Sequence, residues 1–318
     1  MAKRKISLLK KFLYILEFII VVPFSYLLGL LPFCFLKALV KPLSILMFYI
    51  DKKNKNIADY NFRIVYKDNP LSEEEKKRLL KKLYYNIALY GVEYLKLRSI
   101  NEKNYRKFVD FDGYNYVDEA LKDGRGLIVV TGHIGNWEYL GSIPAKLGKN
   151  LAVIINRQFN PYTDWWLKYI REKHGKIKCF YNEISDLSRI VRHLRNGGII
   201  GTLVDQTYYF QPIFVPFFGM PSATADGPAK LHLRYNAPLM MAFGLRQPDG
   251  KYLLKFFPHV YFEKTDDFEG DCKKIMSWIN SEYEKIILKY PEQWFSFFHY
   301  RWERTKPEHF SDIEDTPF

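Results

Sequence analysis

LIVVTGHIGNWEYLG, residues 127–141, passes from a run that suits a buried strand into one that suits a helix. Leu127, Ile128, Val129 and Val130 are apolar and mostly β-branched, the composition of a strand covered on both faces. Thr131 and Gly132 end that run, and helical character takes over from Asn136 to about Lys146. Strand, tight turn and helix in succession open a βα unit, so the stretch points to an α/β sheet. His133 stands in the turn and Glu138 follows it. On a regular helix, residues at that spacing differ by about 140°. They meet only if His133 sits in the turn itself and Glu138 in the first helical turn. Gly132 and Gly135 permit the sharp turn and a close approach to a ligand. An imidazole held by a carboxylate at such a turn is a general-base arrangement. The plainer reading is a loop histidine and a first-turn carboxylate favoured by the helix dipole. The pattern alone is too short to separate the two.

The chain has 318 residues, of which 48% are apolar and 17% aromatic, enough for one large core. Its net charge of +13 suits nucleic acid, an anionic membrane or acidic substrates. No zinc-finger spacing, RNA-binding aromatic motif or basic heptad region favours nucleic acid. Cys34, Cys179 and Cys272 are odd in number and far apart, which argues for a reducing compartment.

Residues 12–31 are an apolar stretch with one charge, Glu17, and one proline, Pro23, and come after Lys3, Arg4, Lys5, Lys10 and Lys11. That length crosses a bilayer, and it exceeds the apolar part of a cleaved signal peptide. Pro32 and Pro42 are expected to break the next apolar stretch, and Lys37 and Lys41 to snorkel, giving residues 32–50 an interfacial character. Lys52, Lys53 and Lys55 balance the basic N-terminus, so the charge rule leaves the topology open. Residues 1–50 read as a membrane anchor and residues 51–318 as the catalytic domain.

Ser72 with Glu75 forms a capping box that opens a helix to about Leu97. Strands are expected near 108–111, 127–130, 151–155, 199–204, 239–245 and 252–262, the last two joined by the turn Pro248-Asp249-Gly250. Helices fall near 114–122, 136–146, 162–173, 184–195, 225–235 and 272–289. The expected fold is α/β: a central mixed sheet flanked by helices, with an N-terminal transmembrane or membrane-interfacial helix.

Arg157 comes after one expected strand and Asp205-Gln206 after another, at the carboxyl edge where such sheets bind ligands. A guanidinium there suits phosphate or carboxylate. Asp205 has three readings: binding sugar hydroxyls, pairing with Arg157, or capping the next loop. That loop, residues 207–221, carries six Tyr and Phe residues and reads either as lipid contact or as a flap folded over the core. The candidate site comprises His133 and Glu138 as catalytic residues, with Gly132, Asn136, Arg157, Asp205 and Gln206 as substrate-binding residues. No H-E-x-x-H or Cys/His cluster offers a metal site, and no G-x-S-x-G elbow supports a serine hydrolase. A membrane-anchored lipid-binding protein without turnover is the non-enzymatic alternative.

TGHIGNWE (131–138), Arg157, Asp205-Gln206, VPFFG (215–219), Ala223-Thr224 and Gly227-Pro228 together resemble the bacterial lipid A biosynthesis acyltransferases of the lauroyl/myristoyl type. PEQWFSFFHYRW (291–302) is similar to that family's closing segment, except that Tyr300 separates His299 from Arg301. His133, Glu138 and Pro238 also match the wider glycerolipid acyltransferase superfamily, whose E-G-T-R signature is absent. The resemblance implies transfer of a fatty acyl chain from acyl-ACP (acyl carrier protein) to a hydroxyl of a lipid A precursor. His133 would serve as base and Glu138 as its partner, with no metal or bound cofactor. It also implies an acyl carrier protein and a glycolipid acceptor as partners, at the cell inner membrane with the catalytic domain on the cytoplasmic side. Another glycolipid acceptor, such as a phosphatidylinositol mannoside, fits the same residues.

Overall fold

The computed structural model describes residues 7–306 and 308; Lys3, Arg4 and Lys5 lie outside the described residues. Four helices come first: α1 (Leu8–Leu30), α2 (Phe33–Ile50), α3 (Lys52–Val65) and α4 (Glu73–Lys96). The α/β part then runs β1 (Val109–Asp112), α5 (Asn115–Leu121), β2 (Leu127–Thr131), α6 (Trp137–Lys146), β3 (Leu151–Ile155), α7 (Pro161–Tyr169) and β4 (Lys178–Tyr181). It continues with α8 (Ile184–Arg195), β5 (Ile199–Leu203), β6 (Ile213–Phe217), β7 (Met220–Thr224), α9 (Gly227–Tyr235), β8 (Leu239–Arg246), β9 (Tyr252–Phe256) and α10 (Phe268–Lys289).

Seven strands form one mixed sheet in the order β1-β9-β8-β2-β5-β3-β4. Every neighbouring pair is parallel except β8 and β9, the hairpin closed by Pro248-Asp249-Gly250. β2 lies in the middle and is buried along its whole length, as its unbroken apolar run requires. Alternate residues feed two cores. Ile128, Val130 and Ile200 pack with Ile275, Ile279 and Tyr283 of α10 on one face. Leu127, Val129 and Ile199 pack with Tyr139, Leu140 and Ile143 of α6 on the other.

Register decides where the site forms. Thr131 is level with Leu203, and Ile155 with Tyr181. Residues two places beyond these ends therefore stand side by side: His133 with Asp205, and Arg157 with Glu183.

Several expectations change. The strand expected over 252–262 stops at Phe256, because Pro258 has no N–H to give a ladder; Val260 rejoins only as a bridge to Leu239. The helix expected over 162–173 ends at Tyr169 and continues as a π turn, Ile170–His174. α10 begins earlier than expected, where Asp267 accepts from the Gly270 N–H at 2.9 Å. Strand β4 was not expected, nor was the β6–β7 hairpin inside the aromatic loop. The capping box of α4 is present, Glu75 accepting from the Ser72 N–H at 2.9 Å.

Both N-terminal helices are long and apolar enough to cross a membrane. Pro32 precedes α2, but Pro42 does not break it: the helix continues to Ile50. One face of α2, with Leu36, Val40 and Phe48, is buried, and Phe48 stacks edge-on with Tyr84 of α4. α1 is held by fewer contacts. Lys96 donates to the carbonyls of Gly29 and Leu31 at 3.0 and 2.7 Å, Trp166 to Ser25 Oγ at 3.1 Å, and Asn160 to the Tyr14 carbonyl at 3.1 Å.

Candidate active site

The turn after β2 is closely packed, and at Gly135 only glycine fits. A Cβ on Gly132 would lie 3.1 Å from Asp205 Cγ. Gly135 has φ +62°, and a Cβ there would lie 2.0 Å from the Gly244 carbonyl oxygen. Between them, His133 is fixed on three sides. Its Nδ1 is 2.8 Å from Asp205 Oδ1, its backbone N–H donates to Asp205 Oδ2 at 3.1 Å, and its carbonyl accepts from the Phe295 N–H at 2.8 Å.

Asp205 is fully buried. Its Oδ2 also accepts from Trp294 Nε1 at 2.9 Å and Ser296 Oγ at 2.7 Å. Burial alone would raise its pKa, but the adjacent imidazole and these donors hold it well below the usual carboxylate range. An ionised carboxylate facing Nδ1 stabilises the tautomer with hydrogen on Nδ1, which leaves Nε2 as the basic nitrogen.

Glu138 is not the partner of His133. Its carboxylate is buried and takes Arg171 Nη2 at 2.7 Å, Arg171 Nε at 3.0 Å and the Tyr90 hydroxyl at 3.3 Å. Burial works against the Arg171 charge, but Glu138 more than offsets it and raises the guanidinium pKa further. The reason is directional. From the first turn of α6, Glu138 projects towards α4 and the π turn, while His133 faces the end of β5.

The other candidate residues divide. Gln206 lines an apolar cavity at this edge of the sheet and donates to Ser296 Oγ at 3.3 Å. Asn136 is fully buried: it caps α6 by accepting from the Tyr139 N–H at 2.9 Å and donates to Glu93 at 3.0 Å, so it supports the turn and does not face a substrate. Arg157 is half exposed, bonded to Glu183 at 2.5 Å and stacked 3.8 Å over Tyr181; it does not converge on His133. Asp205 therefore pairs with neither Arg157 nor the loop after it. His299 is partly buried without a hydrogen-bond partner on Nδ1, and burial lowers its pKa. Arg301 is fully buried, donating to the Ala223 carbonyl and Thr224 Oγ1 at 2.9 and 2.8 Å, which ties the closing segment to β7.

The cavity measures about 450 Å³, with His133, Trp137, Glu138 and Gln206 among its lining. Its inner wall includes Val129, Leu140 and Ile177, beneath the sheet on the α6 side. An imidazole base at the mouth of an apolar cavity suits a reaction on the end of a hydrocarbon chain.

The model of the family described as bacterial lipid A biosynthesis acyltransferase matches residues 1–304. This chain belongs to that family. A lipid A biosynthesis acyltransferase of Haemophilus influenzae is 25% identical over 276 residues, 85% of this chain and 83% of the relative. A lipid A biosynthesis lauroyltransferase of Escherichia coli is 24% identical, with 81% of each chain covered. A phosphatidylinositol mannoside acyltransferase of Mycobacterium tuberculosis is 22% identical over 64% of each. As a lipid A biosynthesis family member the chain is an O-acyltransferase.

Trp294, Ser296 and Arg171 were not among the residues the sequence singled out for the site. The signal for the first two lay in the PEQWFSFFHYRW match, but only the fold shows that this segment closes over Asp205. Arg171 lies in an amphipathic stretch with nothing local to mark it.

Proposed function

We propose that this acyltransferase moves a fatty acyl chain from acyl-ACP to a hydroxyl of a lipid A precursor, with His133 as general base and Asp205 as its partner. The observation that carries this reading is the His133–Asp205 pair, 2.8 Å apart, at the mouth of an apolar cavity. The acceptor hydroxyl attacks the thioester carbonyl while Nε2 takes its proton. The C–O bond forms, the C–S bond breaks, and the proton passes to the leaving thiolate. Asp205 stabilises the imidazolium in between. Backbone N–H groups of Trp137 and Glu138, at the opening of α6, would supply donors for the oxyanion. The thioester carries the activated acyl group, so the scheme needs no metal or bound cofactor.

The net charge of +13 suits an acidic carrier protein, an anionic glycolipid and an anionic bilayer. Exposed apolar side chains along α1 and α2, and three free cysteines, fit an enzyme on the cytoplasmic side of the inner membrane.

Mass spectrometry of glycolipids from membranes incubated with the enzyme, acyl-ACP and candidate acceptors tests the reading. The expected product is a lipid A precursor heavier by one acyl chain. Acylation of a phosphatidylinositol mannoside alone would move the enzyme to the activity named in its mycobacterial relative. Transfer from acyl-CoA but not acyl-ACP would overturn the donor.

A further inference from the structure

Phe159 and Ile184 are among the most solvent-exposed apolar side chains outside α1, at 94% and 88%. They belong to neighbouring strand ends, Phe159 four residues after β3 and Ile184 three after β4. The Asn156–Asn182 and Arg157–Glu183 bonds, at 3.3 and 2.5 Å, hold these two loops together. Trp165 and Tyr162 on α7 and Leu187 on α8 extend the exposed apolar area. The patch runs into α1: Phe18 meets Tyr162 and Trp165, with ring centroids 5.6 and 6.2 Å apart, and Asn160 bonds the Tyr14 carbonyl.

We propose that residues Phe159, Tyr162, Trp165, Ile184 and Leu187 form a second bilayer-contacting surface, which seats the carboxyl edge of the sheet, and so the cavity mouth, against the lipid. This rests on the reading of the enzyme as membrane-bound through α1. The occupant is argued from continuity: lipid that covers the outward face of α1 reaches the α7 rings and then Phe159. α1 alone would hold the protein in a membrane without fixing its orientation. A second contact on the loops after β3 and β4 fixes it, because those loops share their edge with His133. Lys10 lies over the Tyr14 ring at 5.7 Å beside this junction, where it can meet anionic headgroups. A lipid acceptor then reaches Nε2 from the interface without leaving the bilayer.

The test uses the full chain in a Cys34→Ser background, with single substitutions Leu16→Cys, Phe159→Cys, Ile184→Cys and Lys122→Cys. Each carries an environment-sensitive fluorophore in vesicles of phosphatidylethanolamine and phosphatidylglycerol. Lys122 is exposed at the opposite edge of the sheet and serves as control. Labels at 16, 159 and 184 should shift to the blue and be quenched by nitroxide lipids, while the label at 122 stays in water. If only the label at 16 enters lipid, the anchor stands and the second surface is wrong. If none enters, both fall. A shift at 159 and 184 that grows with protein concentration at fixed lipid would assign the patch to a second copy and overturn the proposal. Phe159→Asp with Ile184→Asp should raise KM for a vesicle-embedded acceptor about tenfold or more, from the lost apolar burial. Turnover of a detergent-dispersed acceptor should not change; an unchanged KM in vesicles counts against the surface.

Discussion

Asp205 accepts four hydrogen bonds, one from the His133 ring and three from the His133 N–H, Trp294 and Ser296. In Asp205→Asn the amide oxygen can keep the three donors, while the NH₂ faces Nδ1 and drives the ring proton to Nε2. Acyl transfer should then fall about 10²–10⁴-fold with the fold retained. Glu138→Gln should act differently, because it leaves the Arg171 charge buried without its partner, at a cost of about 3–5 kcal/mol. A lowered Tm is the expected result there. Adding Asp205→Asn to His133→Ala should make activity little worse, whereas Glu138→Gln should add its own loss. The reverse pattern in a double-variant kinetic cycle would return Glu138 to the imidazole. The pH dependence comes from the sign of the shift. The folded-state pKa of Asp205 is depressed, so its stabilisation is present above the unfolded value of ~3.9 and lost as pH falls through the lower folded value. The Tm difference between wild type and Asp205→Asn should thus close as pH falls below ~4. A difference that stayed unchanged from about pH 5 down to about 2 would contradict an ionised Asp205. In the sequence, His133 and Asp205 were both visible as candidates, but their pairing was not. It depends on which strands are neighbours, and nothing local to either residue states that.

Four strands end nearly level, and the residue two places past each is charged or titratable: His133, Arg157, Glu183 and Asp205. Strand order sorts them into two pairs, one at the cavity and one at the surface. The strands themselves were legible where the apolar run was long, as in β2, β3, β5 and β8. The capping box and the Pro-Asp-Gly turn were legible because their chemistry is local. The β6–β7 hairpin was hidden by Pro216 and Pro221, which argue against a strand and here face each other across a two-stranded ribbon. β4 was hidden by its length and by the exposed Lys178 at its start. At this scale the cavity makes its own prediction. Gly141 on α6 and Gly201 on β5 both line it, and an added Cβ would meet Ile177 Cδ1 at 3.0 Å or Val153 Cγ1 at 3.2 Å. Gly141→Leu and Gly201→Val should fill the inner wall and favour shorter acyl donors, by about tenfold or more for each methylene excluded. Products from a mixture of chain lengths, read by mass spectrometry, give the answer. An unchanged product profile with only a lower Tm would place the acyl chain elsewhere.

Across the whole molecule, the two apolar helices differ in what they do for the fold. α1 keeps most of its apolar side chains exposed and is held by a few polar contacts to Lys96, Trp166 and Asn160. Lys96 and the tryptophan N–H can turn to water if α1 is removed, so little stability depends on it. α2 buries Leu36, Val40 and Phe48 against α4, and with them Leu89 and Tyr84. Three such side chains contribute roughly 5–9 kcal/mol together, comparable with the whole ~5–15 kcal/mol that keeps a domain folded. The sequence pattern had grouped residues 1–50 by hydropathy, which does not distinguish an apolar face that meets lipid from one that meets protein. A chain beginning at Pro32 should therefore keep a cooperative unfolding transition within a few °C of the full chain, a shift of about 1 kcal/mol or so. It should also lose acyl transfer to acceptor in vesicles far more than to detergent-dispersed acceptor. A chain beginning at Asp51 should lose that cooperative transition, because the face of α4 it exposes is part of the core. Calorimetry of the two truncations in the same detergent separates these outcomes. Equal stability of both would show that α2 belongs functionally with α1, as an anchor and not as a wall of the catalytic fold.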